Sequence, residues 1–370
     1  FYLRFRDLDR IPRLHYWSHR VDRRKLVTTQ KCIMAGAGTG KTTYLLNQAL
    51  NVPHEKNVLY LTYTEAAAIH FASRVKAIRG AVPGNITVMT WYSFLLAHGV
   101  RPFPYPLPGI LPRGISFVEG KVPQRRGVTR GNPAYYLANE RGDVFSSRLA
   151  DLACKCNEQV GGDAVNRISD MFDIILIDEA QDLSSYDYDY ISSLMHTPAT
   201  VIVVGDPRQR TYTTSKEGPY TEETFFDYAR RRQLCEIDTN SLSVCHRCRP
   251  DVVALANALF PDLPALACAT PDEGTHLRTL SKGERAKPPV DFLEAMHLTW
   301  QAKSLPYSNC STMTMGASKG SEFDNVAVWL TKPMSMWLDN REAALKPGAR
   351  AKMYVAVTRA RNNLWLVRPQ

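Results

Sequence analysis

Apolar residues along this chain fall into short continuous runs, and these alternate with segments whose apolar positions recur at helical spacing. Residues 32–35, Val58–Thr62 and Ile86–Thr90 have the length and apolar content of buried strands, whereas residues 42–50 carry the period of a helix and 65–78 are rich in the helix former alanine. Residues 173–178 and Thr200–Gly205 are further apolar runs, each leading into an acidic residue. Strand, loop and helix in alternation predict a parallel sheet, and the unbroken apolar runs predict its interior.

The rhythm breaks at residues 101–108, where proline at every second position excludes helix and central strand. A basic, glycine-rich stretch continues through Gly131, so residues of about 98–165 are expected as an insertion outside the sheet, with 135–160 helical. A second α/β unit is expected from Leu234, with strands near 235–238, 326–330 and 364–367. The proline-rich residues 261–309 read as loops or a small accessory layer. The expected division is a basic arm over residues 1–30, a first lobe over 31–233 and a second over 234–370.

With 370 residues and 44% hydrophobic content, the chain can fill two ordinary cores. A formal charge of +10 favours a polyanionic partner, since phosphates neutralised by Lys and Arg release counterions. Arginines gather at Arg4, Arg6, Arg10, Arg13, Arg20, Arg23 and Arg24, and again at Arg125, Arg126 and Arg130. No apolar run has the length of a membrane span and no secretory leader is evident, so an intracellular location is expected: cytoplasm, nucleoid or nucleus, including that of a viral protein in its host cell. The eight cysteines form no disulfide framework, and Cys154-x-Cys156 and Cys245-x-x-Cys248 lack the second half of a zinc clasp.

The sharpest chemistry lies in residues 35–42, an apolar approach followed by a glycine-rich turn and Gly-Lys-Thr. The backbone of Gly36, Ala37, Gly38, Thr39 and Gly40 can cradle phosphate oxygens at a helix start, with Thr42 and Thr43 opening the helix. Lys41 supplies a positive charge to the terminal phosphates and the Thr42 hydroxyl is a ligand for Mg²⁺. Asp178-Glu179 follows its strand at once, at the carboxyl edge of the sheet. There Asp178 would hold Mg²⁺ with Thr42, and Glu179 would act as general base toward water.

Taken in order, these segments resemble the UvrD/Rep-like helicases of superfamily 1. Residues 35–42 are similar to the first motif of that family, 177–182 to the second, and Gly205-Asp206-Pro207-Arg208-Gln209 to the third. His246-Arg247 resembles the fourth, Thr314 with Lys319-Gly320-Ser321-Glu322-Phe323-Asp324 the fifth, and residues 354–361 the sixth. The resemblance implies two RecA-like parallel-sheet lobes with a small insertion in the first, ATP and Mg²⁺ as cofactors, and Gln209 as a sensor of the terminal phosphate. It further implies Arg247 and Arg359 as arginine fingers, His246 stacked on the base, and Gly320 and Glu322 against the nucleotide, with Glu322 a ribose contact. Thr62, Tyr63, Thr64, Thr90, Trp91, Tyr92 and Thr314 are the implied contacts to a single strand, the three rings being candidates for base stacking.

The implied activity is ATP-driven movement along single-stranded DNA, in the 3′→5′ direction, with duplex unwinding. The alternatives are an NTPase switch that opens no duplex, and a viral RNA helicase of the same superfamily. No adenine-selecting glutamine motif precedes the loop, Gly316 stands where the fifth motif has histidine, and Cys245 where the fourth has asparagine. The short spacing between the fourth and fifth motifs implies reduced accessory parts.

Overall fold

A computed structural model describes residues 30–369 except 119, 121, 123, 124, 272, 273, 275, 281, 282, 303, 304, 308 and 309. The expected N-terminal arm, apart from Gln30, lies outside the described residues. The apolar runs assemble into a six-stranded sheet in the order Ile86–Thr90, Val58–Thr62, Ile174–Ile177, Thr200–Gly205, Lys31–Met34, Ile237–Asp238. Every pairing in it is parallel. The strands are apolar at consecutive positions because both faces are covered: Leu59, Leu61, Ile175, Ile177, Val201 and Val203 join one core, while Val58, Tyr60, Leu176, Ile202 and Val204 join the core on the opposite face.

The helix Glu65–Arg79 begins where the Thr64 side chain accepts from the Ala67 amide, and it ends at Gly80 with φ of +81°. After Ile86–Thr90, a short helix Trp91–Phe94 runs into a π-helical turn, Leu95–Val100, and both bury apolar side chains. The insertion contains a two-stranded parallel sheet, Gly114–Ser116 beside Asp143–Phe145. Residues 135–160 are not helical throughout: the helix spans Ser146–Gln159. The difference has a local cause, since Asn139 Oδ1 accepts from the Arg141 and Asp143 amides and Gly142 takes φ of +87°, which turns the chain into the Asp143–Phe145 strand.

The second sheet has five parallel strands in the order Leu277–Leu280, Ala360–Val367, Phe323–Trp329, Met296–Thr299, Thr312–Thr314. Two expectations change here. Residues 235–238, read as the opening strand of the second unit, supply Ile237–Asp238 to the edge of the first sheet beside Cys32 and Ile33. Residues 261–309, read as loops or an accessory layer, contribute Leu277–Leu280 and the interior strand Met296–Thr299 to the second sheet. His297 and Thr299 within that strand are buried polar residues, which hid its strand character in the sequence. Among the described residues all eight cysteines are unbridged, and no helix is long and apolar enough to cross a membrane.

Candidate active site

The strand Lys31–Met34 delivers residues 35–40 to the carboxyl edge of the first sheet. Gly38 takes φ of +70° and Gly40 φ of +85°, backbone conformations that a Cβ resists. At Gly38 a Cβ would also come within 2.6 Å of the Arg247 Cβ. The helix Lys41–Leu50 opens with no side-chain cap and no acidic residue in its first turn, which leaves its first amides available to an anion. Lys41 Nζ and Thr39 Oγ1 both fold back to donate to the Gly36 carbonyl, each at 3.0 Å.

Asp178 stands beyond the strand Ile174–Ile177 and is fully lodged among donors. Its Oδ2 accepts from Thr42 Oγ1 at 3.1 Å and from the Tyr60 hydroxyl at 2.8 Å, and Oδ1 accepts from the Glu179 amide at 2.8 Å. Burial pushes Asp178 up to about 6, with the negative charge of Glu179 adding to the effect. Burial acts in the same direction on Glu179, yet the cations of Lys319 and Lys41 prevail and hold it at about 2. Glu179 is therefore ionised at neutral pH, the form a general base requires. The Thr42 hydroxyl and Asp178 carboxylate form an oxygen donor pair of the kind Mg²⁺ prefers, and would hold that ion; its chemistry there would be to neutralise phosphate charge.

The second lobe reaches this loop at several points. The Ala37 amide donates to the Tyr354 hydroxyl at 3.0 Å, and that hydroxyl donates to Asp206 Oδ2 at 3.1 Å. The His246 amide donates to the Gly38 carbonyl at 2.9 Å. Lys319 Nζ lies 2.5 and 2.6 Å from the two oxygens of Asp182 and 3.6 Å from Glu179 Oε2. Arg359 is buried, and its guanidinium donates to the carbonyls of Val355 (2.9 Å) and Ser321 (3.0 Å) and to Gln209 Oε1 (3.5 Å). Burial and the like charge of Arg247 lower Arg359 to about 10, still a cation at neutral pH. Among the described residues no ion pair neutralises it. Gln209, in turn, donates through Nε2 to Asp206 at 2.9 Å.

Arg247 is held differently from Arg359. Its Nη1 donates to the Thr358 carbonyl at 3.2 Å and its Nη2 to Glu322, whose other oxygen accepts from Arg361 at 2.7 Å. Glu322 is thus shared by two arginines. Gly320 takes φ of +85°, and the side chain of His246 is exposed. Thr43 accepts from Arg74 Nη2 at 3.0 Å.

The residues expected to meet a single strand divide by exposure. Thr64 is exposed, and Tyr63, Thr90 and Thr314 are half-buried. Thr62 is buried in its strand. Trp91 is only 1% exposed, packed among Phe94 and Tyr190, and its indole N–H donates to Asp187 Oδ1 at 2.6 Å. A ring enclosed in this way offers no face to a base, so Trp91 is a core residue in this structure. Tyr92 is buried as well, its hydroxyl donating to the Thr214 carbonyl at 3.3 Å.

Four residues that hold the site together were given no role by the sequence. Tyr60 and Tyr354 are buried tyrosines whose hydroxyls had to find partners, and a tyrosine inside an otherwise aliphatic strand was the available signal for Tyr60. Lys319 and Asp182 stood inside recognised segments, but their pairing spans 137 residues and has no local signature.

Residues 21–215 match the family model described as AAA domain, and residues 163–368 match that of the viral superfamily 1 RNA helicase core domain. Among solved structures, the chain is similar to Arterivirus nonstructural protein 10 (helicase), at 17% identity and a TM-score of 0.47, over 91% of this chain and 59% of that one. A complex of Arterivirus nonstructural protein 10 with DNA matches at 16% identity and a TM-score of 0.46, over 92% of this chain and 60% of that one. The chain therefore spans about three fifths of the length of these two structures. No curated protein matches it.

Proposed function

The chain belongs to the superfamily 1 helicases, and from that premise we propose that it is a nucleic-acid motor: it hydrolyses ATP with Mg²⁺ at the junction of its two RecA-like lobes, moves along a single strand and opens duplex. The observation that carries this reading is Arg359, a buried cation without a carboxylate partner among the described residues, delivered from the second lobe to Gln209 of the first. A guanidinium so placed suits a charged phosphate better than any acceptor it now holds, and phosphoryl transfer gains about 10³–10⁵ in rate from such a group. Lys41 would neutralise the terminal phosphates, Glu179 would take the proton from the attacking water, and Gln209 would report the terminal phosphate to the second lobe. Arg247 would have to leave Glu322 to serve as a second finger.

RNA is the strand in this reading, supported by the description of the family that residues 163–368 match. A second reading, a UvrD/Rep-like DNA motor with 3′→5′ movement, draws support from the segments Asp178-Glu179-Ala180-Gln181-Asp182 and Lys319-Gly320-Ser321-Glu322-Phe323-Asp324. Unwinding of fluorescent RNA and DNA duplexes carrying either a 3′ or a 5′ overhang tests both. Opening of RNA duplexes supports the first, and opening of DNA alone from a 3′ overhang supports the second. ATP hydrolysis stimulated by single strands with no duplex opened would contradict both and leave a switch.

A further inference from the structure

Resting on the reading of this chain as a strand-binding motor, we propose that the insertion carries a strand-binding site of its own, in which Phe117 stacks on a base and Arg125 and Arg126 hold phosphates of the same single strand. The site begins at the rings already described. Tyr63 and Tyr92 lie 5.9 Å apart between centroids, and Phe117 continues the row at 5.3 Å from Tyr92, edge to face at 86°. Tyr92 is buried and held by its hydroxyl, whereas Phe117 is 68% exposed. The row thus ends in a ring that water, or a base, can reach.

The charge lies at the same end of the small sheet. Ser116 pairs with Phe145, so Phe117 is one residue past the point where that sheet ends, and Arg148 sits in the first turn of the helix that follows Phe145. Arg125, Arg126, Tyr135, Phe145 and Arg148 line a cleft of about 510 Å³. Its floor is built: the Arg148 guanidinium lies 3.8 Å over the Tyr135 ring and donates to the Tyr135 carbonyl at 2.6 Å. Glu217 accepts from Arg148 Nε at 3.2 Å and from the Val122 amide at 3.1 Å, which ties Val122 to Arg148 of the cleft.

Among the described residues, Glu217 is committed to Arg148 and Asp151 to Arg130 at 2.8 Å. Arg125 donates to the Ala138 carbonyl at 3.3 Å, and Arg126 is exposed; among the described residues no carboxylate pairs with either. Two guanidiniums without a carboxylate among the described residues, at the same end of the small sheet as an exposed ring, suit the phosphates and bases of a single strand, and stacking of this kind tolerates any base.

Fluorescence anisotropy of a labelled single-stranded RNA, and of the DNA of the same sequence, titrated with the full chain over a range of salt, provides the test. Phe117→Ala and Phe117→Leu should weaken binding by about 5- to 100-fold while Phe117→Trp retains it. Leu keeps apolar bulk without a ring, so loss in Phe117→Leu separates stacking from packing. The double variant R125A/R126A should bind more weakly and flatten the dependence of log K on log salt by about 1.4, at about 0.7 for each phosphate that no longer meets an arginine. Native affinity in Phe117→Leu together with the native slope in R125A/R126A would overturn the proposal and leave the motor reading intact. Were these arginines to serve an acidic protein instead, that is the result they would give. Failure of the native chain to bind either strand would overturn the motor reading itself, and this proposal with it.

Discussion

Among the described residues, the ion pairs that cross between the lobes are those of Lys319 with Asp182 and Glu179, so replacing Lys319 by methionine tests whether this charge joins the two sheets. Methionine keeps most of the stem and removes the cation. Asp182 is 2% exposed and the Lys319 side chain 12%, so little water screens the contact. Burial would lower the Lys319 ammonium, but the charges of Asp182 and Glu179 hold it above its ordinary value, so it is a cation at neutral pH. Removing one partner of a buried pair costs about 3–5 kcal/mol. The residual exposure of Lys319 places the expected loss near the lower end, at about 3 kcal/mol. Asp182→Asn should offset part of this loss when combined with Lys319→Met, because the orphaned charge is then gone. Urea unfolding of the native chain, both single variants and the double variant gives the coupling directly, and about 2 kcal/mol is expected. Single-variant losses that simply add, within about 0.5 kcal/mol, would refute the inference that this pair joins the lobes.

Three further outcomes follow from the site. Glu179→Gln should still bind nucleotide, measured with a fluorescent analogue, but hydrolyse it about 10²- to 10⁴-fold more slowly, and unchanged turnover would remove Glu179 as base. Arg359→Ala should lower turnover by about 10³-fold or more; a fall below about tenfold would show that the buried guanidinium serves the fold and not the phosphate. Trp91→Phe should cost about 1–3 kcal/mol in thermal unfolding, because Asp187 loses its indole donor, while strand affinity in anisotropy titrations stays at the native value.

The parts of this molecule that were legible in the sequence are those whose signals are local. The turn at residues 35–42 needs Gly38 and Gly40 for its backbone, and Asp178-Glu179 ends an apolar run, so both could be placed before any packing was known. The interior strands of the first sheet were readable for the same reason, being apolar on both faces, whereas its edge strand Ile237–Asp238, two residues long and ending in an acid, was assigned to the wrong unit. Strand Met296–Thr299 was not, because His297 is buried with its ring bonded to the Phe292 carbonyl and to the Trp329 indole, partners that no window of sequence reveals. Trp91 shows the converse failure. An aromatic in a strand-contacting segment suggests stacking, but the acid that fixes its ring inward, Asp187, is 96 residues away. Tertiary partners of this kind also decided the roles of Tyr354 and Lys319, and Phe117 stood out only once its exposure and its packing against Tyr92 were known.

Coupling of hydrolysis at Lys41 and Glu179 to a single strand, as proposed for this chain, is measured most directly by steady-state ATP hydrolysis with and without single-stranded oligonucleotide. The native chain should hydrolyse ATP faster when RNA or DNA is added, and Lys41→Ala should hydrolyse none under either condition. A native rate that ignores both strands, or turnover that survives Lys41→Ala, would contradict a strand-coupled site at this loop.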